Sequence, residues 1–287
     1  GLSPYSMTAD PDNQKVYVSG YPNSQVYEYD MARGLGLNRS PPNPQFLGYL
    51  GNYDDGENTH CPVAGTFVGA DGRIYNAGVT YGRTREGGGL NWYIPENGTT
   101  GGIYKPQFTP DRPFWGTSAS DGRYILLSTK NNDDPDVDGK VSCWDTLNHE
   151  FAYEERMPAG TYTPGELTEA LPGLVMGHGI SADGDGGILY GLKASTGELL
   201  WVKEVPEPVV TSFASVRRHR YSFRPGPNGG IWAFQGDVLV RVDPDDAEVH
   251  VVGRLPDGYG AADLAFANNS VYIAGGGALL RIDGVNT

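Results

Sequence analysis

Short runs of alternating apolar side chains recur along the whole chain, and each run follows a turn. The runs begin at residues 16, 74, 125, 174, 231 and 271, so successive starts are 58, 51, 49, 57 and 40 residues apart. Turn-forming pairs such as Asp71-Gly72 and Asn228-Gly229 precede them. No stretch of ten or more residues has a convincing helical period, which predicts an all-β chain built from repeats.

Each repeat contains more than one predicted strand. Inner strands are expected at residues 5–8, 66–68, 221–223 and 263–266, and the runs above are the second strands. A third apolar run follows each of them, and several repeats add a fourth. Four strands in ~40–55 residues are typical of one β-propeller blade. A β-sandwich or a β-helix is the competing fold, but a sandwich lacks a repeat of this length and β-helix coils are shorter.

The sequence therefore predicts a β-propeller of four-stranded blades with six visible repeat units, in a six- or seven-bladed ring. The last unit stops after its third strand, at Asp283. Residues 1–287 are thus expected to form a single propeller domain, either self-contained or a segment of a longer chain. Only residues 166–171 suggest a helical turn.

Composition and charge exclude several classes of protein. The chain has 287 residues, of which 38% are hydrophobic and 11% aromatic, too many for a disordered chain. The net charge is −14, which argues against nucleic-acid binding because phosphate contacts need Lys and Arg. No apolar run approaches the ~20 residues of a membrane-spanning helix.

Weak features of the sequence favour an extracellular, secreted protein. Cys61 and Cys143 are too few for a disulfide framework. Asn-x-Ser/Thr sequons occur at Asn38, Asn97 and Asn268, about as many as chance predicts. The acidic, Tyr-rich and Lys-poor composition points in the same direction.

Two segments resemble known propellers. Residues 187–201, GILYGLKASTGELLW, resemble one repeat of the quinoprotein-like propellers, a repeat that many scaffolds share without a quinone. The segments 71–75, 87–93 and 239–244 are similar to a group of mostly uncharacterised bacterial propeller proteins. Some polysaccharide lyases and glycoside hydrolases are also secreted propellers, a fold-level analogy that makes glycan chemistry an expectation.

One face of the predicted propeller collects candidate catalytic residues. Loops that join blades, and loops between second and third strands, converge on that face, and Arg112 and Trp115 are also expected in a blade joint. The candidate catalytic residues are His60, Tyr81, Arg83, His178, His219, Arg220 and Tyr221.

These residue types suit β-elimination from a uronic acid. Arg83 or Arg220 would neutralise the carboxylate, and His60 or His219 would remove the α-proton. A tyrosine would then protonate the leaving oxygen. The sequence predicts a carbohydrate-binding loop face that, if catalytic, is a polysaccharide lyase acting on an acidic glycan, or a glycoside hydrolase.

A second pattern has the spacing of a calcium-binding loop. Alternating carboxylates in a tight turn surround a hard cation with oxygen ligands, and position 12 usually carries a bidentate Glu. The candidate ligands are Asp134, Asp136, Asp138 and Asp145, with Gly139 at the bend and the shorter Asp145 at position 12.

The alternative function is a non-catalytic scaffold or protein-interaction propeller within a larger assembly. The high glycine content and the absence of a sharp catalytic motif favour this alternative. The expected partner is therefore either a carbohydrate ligand or another protein.

Overall fold

The computed structural model describes residues 3–51, 61–79, 87–104, 108, 111–131, 137–157, 161–181, 186–205, 223–235, 237–259, 261–275 and 277–285. These residues form six antiparallel sheets, here called blades I to VI, each connected in sequence order. Blades I to V have four strands, and blade VI has three in the described part of the chain. The all-β fold is a six-bladed β-propeller, which confirms the predicted fold and selects the smaller of the two predicted ring sizes.

The first three blades contain twelve strands. Blade I contains β1 (Ser3–Asp10), β2 (Lys15–Tyr21), β3 (Gln25–Asp30) and β4 (Gln45–Tyr49). Blade II contains β5 (Cys61–Val68), β6 (Ile74–Val79), β7 (Gly88–Ile94) and β8 (Thr99–Ile103). Blade III contains β9 (Asp111–Ser118), β10 (Tyr124–Asn131), β11 (Lys140–Asp145) and β12 (Glu150–Arg156).

The last three blades contain eleven strands. Blade IV contains β13 (Thr161–Leu171), β14 (Leu174–Ser181), β15 (Gly187–Lys193) and β16 (Leu199–Val205). Blade V contains β17 (Arg224–Pro225), β18 (Ile231–Gln235), β19 (Val238–Val242) and β20 (Val249–Arg254). Blade VI contains β21 (Ala261–Ala267), β22 (Ser270–Gly275) and β23 (Ala278–Asp283).

The chain divides into two compact units. Unit 1 is Gly1–Pro164 with Ser195–Gly197, and unit 2 is Gly165–Ala194 with Glu198–Thr287. In unit 1, apolar side chains of blades II and III form one core, in which the Trp92 and Trp144 rings stack with centroids 6.3 Å apart. In unit 2, separate clusters join blade IV to blade V and blade V to blade VI.

The predicted helical turn at residues 166–171 is wrong. These residues belong to β13, the first strand of blade IV, which pairs with β14. Six residues are too few to overcome the cost of helix nucleation, and strand pairing satisfies their backbone groups instead. The described helical structure is a single 3-10 turn at Pro227–Gly229.

Of the predicted inner strand at residues 221–223, only Phe223 lies within the described residues, and the strand observed there is β17, one residue later.

Among the described residues, no helix has both the length and the apolar character needed to cross a membrane.

Gly78 tests how tightly β5 and β6 of blade II approach each other. A Cβ atom at this position would overlap the Cys61 carbonyl oxygen and lie 2.8 Å from the Val63 amide nitrogen. Because both obstacles are backbone atoms, Gly78→Ala should lower the free energy of unfolding by about 2 kcal/mol or more. Urea unfolding measures the change.

Gly253→Ala is the matched control, because a Cβ at Gly253 meets nothing within 4 Å. This variant should stay within about 0.5 kcal/mol of the wild type. Equal effects of the two substitutions would contradict the close approach of β5 and β6.

Candidate functional site

The inner strands of blades I, II and III bring together partly exposed apolar side chains in unit 1. β1 lies beside β5, and β5 lies beside β9. Tyr5, Val63 and Trp115, one from each of these strands, pack against a buried cluster of Cys61, Val79 and Phe114. The three side chains keep part of their surface exposed and offer an apolar platform.

Two cations lie next to this platform. Arg112 on β9 and Lys130 on β10 are directly paired across the strands, and both are partly exposed. The Lys130 ammonium lies 5.5 Å from the centre of the Phe114 ring, a cation–π distance. The Phe114 ring in turn lies 5.6 Å from the Trp115 ring, measured between centroids. We call Tyr5, Val63, Arg112, Trp115 and Lys130 the cation–aromatic site.

Electrostatics distinguish Lys130 from an ordinary surface lysine. Burial lowers the pKa of its ammonium, and the neighbouring positive charge of Arg112 lowers it further. An anion placed between the two cations would relieve that repulsion. The site therefore combines two positive charges, which favour a bound anion, with a surface on which an apolar ring face can pack.

A second polar cluster lies within unit 2, on the inner side of blades IV to VI. Arg224 on β17 donates to Glu166 on β13 at 2.6 Å, and its Nε lies 3.5 Å from an Asp263 oxygen on β21. Burial raises the pKa of Glu166 to about 7, although the charge of Arg224 opposes that shift. The other carboxyl oxygen of Glu166 is buried and has no hydrogen-bond partner.

His178 lies inside β14 and not in a loop, so its predicted placement is wrong. The side chain is only 3% exposed, and its ring packs edge-on against Phe223. Its Nε2 accepts a hydrogen bond from the Glu166 amide at 3.1 Å, which places the proton of the neutral ring on Nδ1. Burial lowers the pKa of His178 to about 3. The backbone pairing of β14 with β15 continues through residue 180, which is why the strand extends past His178.

The other six predicted catalytic residues lie outside the described residues. They are His60, Tyr81, Arg83, His219, Arg220 and Tyr221. Arg112 and Trp115 are also placed differently from the prediction, since they lie in the inner strand β9 and not in a blade joint.

Sequence reasoning did not select Lys130, Tyr5 or Val63. For Lys130 the available signal is a lone cation that follows the apolar run Ile125–Thr129 of β10. For Tyr5 and Val63 no signal distinguishes them from core residues, since only the packing of neighbouring strands groups them with Trp115.

The predicted calcium loop is only partly within the described residues, because Asp134 and Asp136 lie outside them. The Asp145 carboxylate binds the Arg123 guanidinium at 2.9 Å and accepts hydrogen bonds from the Leu147 and Asn148 amides. Burial raises its pKa, but these partners lower it by more. Within the described residues, no group of three or more His, Cys, Asp or Glu side chains could hold a metal. A calcium ion at Asp145 would have to compete with Arg123, so the loop stays a prediction.

Comparison with known proteins supports the fold alone. No protein family and no curated relative matches the sequence. Among solved structures, hydrazine synthase of Kuenenia stuttgartiensis is similar, with 11% identity, a TM-score of 0.64 and coverage of 98% of this chain and 83% of that one. The Dos1 propeller matches with 11% identity, a TM-score of 0.63 and coverage of 98% and 68%. A luciferin-regenerating enzyme matches with 12% identity, a TM-score of 0.53 and coverage of 95% and 83%.

Glu166 and His178 should give opposite pH dependences of stability. The pKa of Glu166 is raised above its ordinary value of 4.5, so its contribution is full below pH 4.5 and is lost as the pH rises towards 7. The pKa of His178 is lowered from 6.5, so its contribution is full above pH 6.5 and is lost as the pH falls towards 3. Between pH 4.5 and 6.5 the two slopes cancel in the wild type.

Single variants separate the two groups. Between pH 4.5 and 6.5, Glu166→Gln should gain stability relative to the wild type with rising pH, by about 1.4 kcal/mol per pH unit. His178→Gln should lose stability relative to the wild type over the same range, with a similar slope. Urea unfolding in a pH series measures both, and curves parallel to the wild type would contradict the assignment.

Proposed function

We propose that this chain is a carbohydrate-binding propeller whose cation–aromatic site receives an acidic saccharide. The observation that carries the proposal is the pairing of Arg112 and Lys130 beside the partly exposed Tyr5 and Trp115. A uronic acid has one carboxylate and one apolar ring face. The cations complement the carboxylate, and the aromatic side chains complement the ring face.

The negative net charge of the protein means that binding of an acidic saccharide depends on its few positive side chains. The whole chain carries −14, so a nonspecific encounter with a polyanion is unfavourable. Binding of an acidic saccharide must then depend on short contacts at a few positive residues. We therefore expect affinity to fall with rising ionic strength and to disappear when these two cations are neutralised.

Arg112→Gln and Lys130→Gln should each weaken binding of trigalacturonate about tenfold, because each removes a charge-assisted hydrogen bond. Isothermal titration calorimetry measures the dissociation constant. The methyl ester of the trisaccharide should bind equally weakly to the wild type and to both variants, since it has no carboxylate. Lys193→Gln on the exposed end of β15 is the matched control for net charge. Affinity for trigalacturonate that survives both substitutions would contradict the proposal.

Turnover of the bound saccharide is a separate proposal that rests on residues predicted from the sequence. β-Elimination would produce an unsaturated uronate with a new ultraviolet absorbance. His60→Ala or His219→Ala should abolish this absorbance while leaving binding by Arg112 and Lys130 in place. Absence of the product from all acidic polysaccharides tested would leave a binding protein without lyase activity and would overturn this part.

An extracellular location is also proposed. The sequon residues Asn38, Asn97 and Asn268 are all exposed, so their side chains are accessible for modification among the described residues. The intact mass of natively sourced protein, before and after deglycosylation, tests for glycans at these positions.

A further inference from the structure

One connection in unit 1 is much longer than its counterparts. Fourteen residues, 31–44, join β3 to β4, whereas four residues join β7 to β8 and β11 to β12. Asn43 holds this connection in place and is only 1% exposed. Its amide group donates to the Asp30 and Arg33 carbonyls at 2.9 and 2.8 Å and accepts from the Asp30 amide. We call residues 31–44 the leucine loop.

The leucine loop presents apolar and positive groups to solvent. Leu35 and Leu37 are 69% and 70% exposed. Arg33 and Arg39 donate to backbone carbonyls of the same loop, so they keep their positive charge. Residues 31–44 contain no Asp or Glu, which gives the loop a charge of +2 on a chain of −14.

These features favour a protein surface over a membrane as the partner. Even a single myristoyl chain gives only marginal membrane binding, and two leucine side chains bury less apolar surface. The leucine loop instead requires an apolar surface with acidic groups around it.

The β20 strand of unit 2 has such a surface. Val251 is 73% exposed, the largest exposed fraction among the large hydrophobic side chains of the described residues, and Val252 is 40% exposed. The turn before the strand exposes Asp245, Asp246 and Glu248. β20 is the outermost strand of blade V, so its outer edge faces away from β19. Apolar side chains and carboxylates therefore lie together at one sheet edge.

We propose that the leucine loop of one copy docks on the β20 edge of a second copy of this chain. Leu35 and Leu37 pack against Val251, and Arg33 and Arg39 face the carboxylates of the β19–β20 turn. The contact joins two different surfaces, so each copy can both donate a loop and accept one. This proposal does not depend on saccharide binding.

Sedimentation velocity over a concentration series tests the contact, with protein whose intact mass shows no glycan. The wild type should associate into dimers and longer oligomers. Leu35→Ser/Leu37→Ser and Val251→Ser should each be monomeric, whereas an equimolar mixture of these two variants should form a dimer and nothing larger. Leu200→Ser/Val202→Ser, on the exposed outer strand of blade IV, is the matched control and should associate like the wild type. Circular dichroism checks that every variant is folded.

Charge exchange tests the proposed orientation. Arg33→Glu/Arg39→Glu should weaken association at least tenfold, and Asp245→Arg/Asp246→Arg should do the same. An equimolar mixture of these two variants should associate again, because the charges are complementary once more. A wild type that stays monomeric at about 1 mM, a mixture that does not associate, or a glycan on Asn38 of the natively sourced protein would each overturn the proposal.

Discussion

Burial of both faces of each small sheet is the constraint on which this structure depends. A single antiparallel sheet of four short strands covers too little apolar surface to be stable alone. In unit 1 the Tyr75, Leu90 and Leu127 side chains of neighbouring blades share one core. In unit 2 Met176 and Leu189 share another with Val240. Each of these shared cores holds two neighbouring blades together.

The same stacking brings polar residues of different blades into contact. Arg224, Glu166 and Asp263 come from three successive blades of unit 2 and form one ionic cluster. Burial of Glu166 raises the proton affinity of its carboxylate, and burial keeps His178 neutral beside it. In unit 1, neighbouring inner strands leave Arg112 and Lys130 partly exposed beside an apolar platform. The ligand is assigned to the cation–aromatic site because that site combines two cations with an apolar platform, whereas the charge of Arg224 is already paired with Glu166 and Asp263.

In a protein with a negative net charge, exposed cations are the side chains that can attract an anionic ligand or an acidic protein surface. The chain carries more acidic than basic groups, so two cations that lie together beside apolar side chains are conspicuous. Arg112 with Lys130 is one such pair, and Arg33 with Arg39 on the leucine loop is another. Each pair lies beside apolar side chains. The first suits a small anionic ring, and the second suits a larger apolar surface with acidic groups around it.

The sequence by itself determined the strand repeat, the turns and the propeller class. Periodicity and turn chemistry are local properties, so strands such as β2, β6 and β22 are predicted nearly to the residue. Only the tertiary structure decided which side chains meet. Residues as distant as Tyr5 and Trp115 become neighbours through blade stacking, which no local pattern encodes. It also decided that His178 is buried and that Asp145 binds Arg123, because burial and ion pairing depend on which side chains the paired strands bring together.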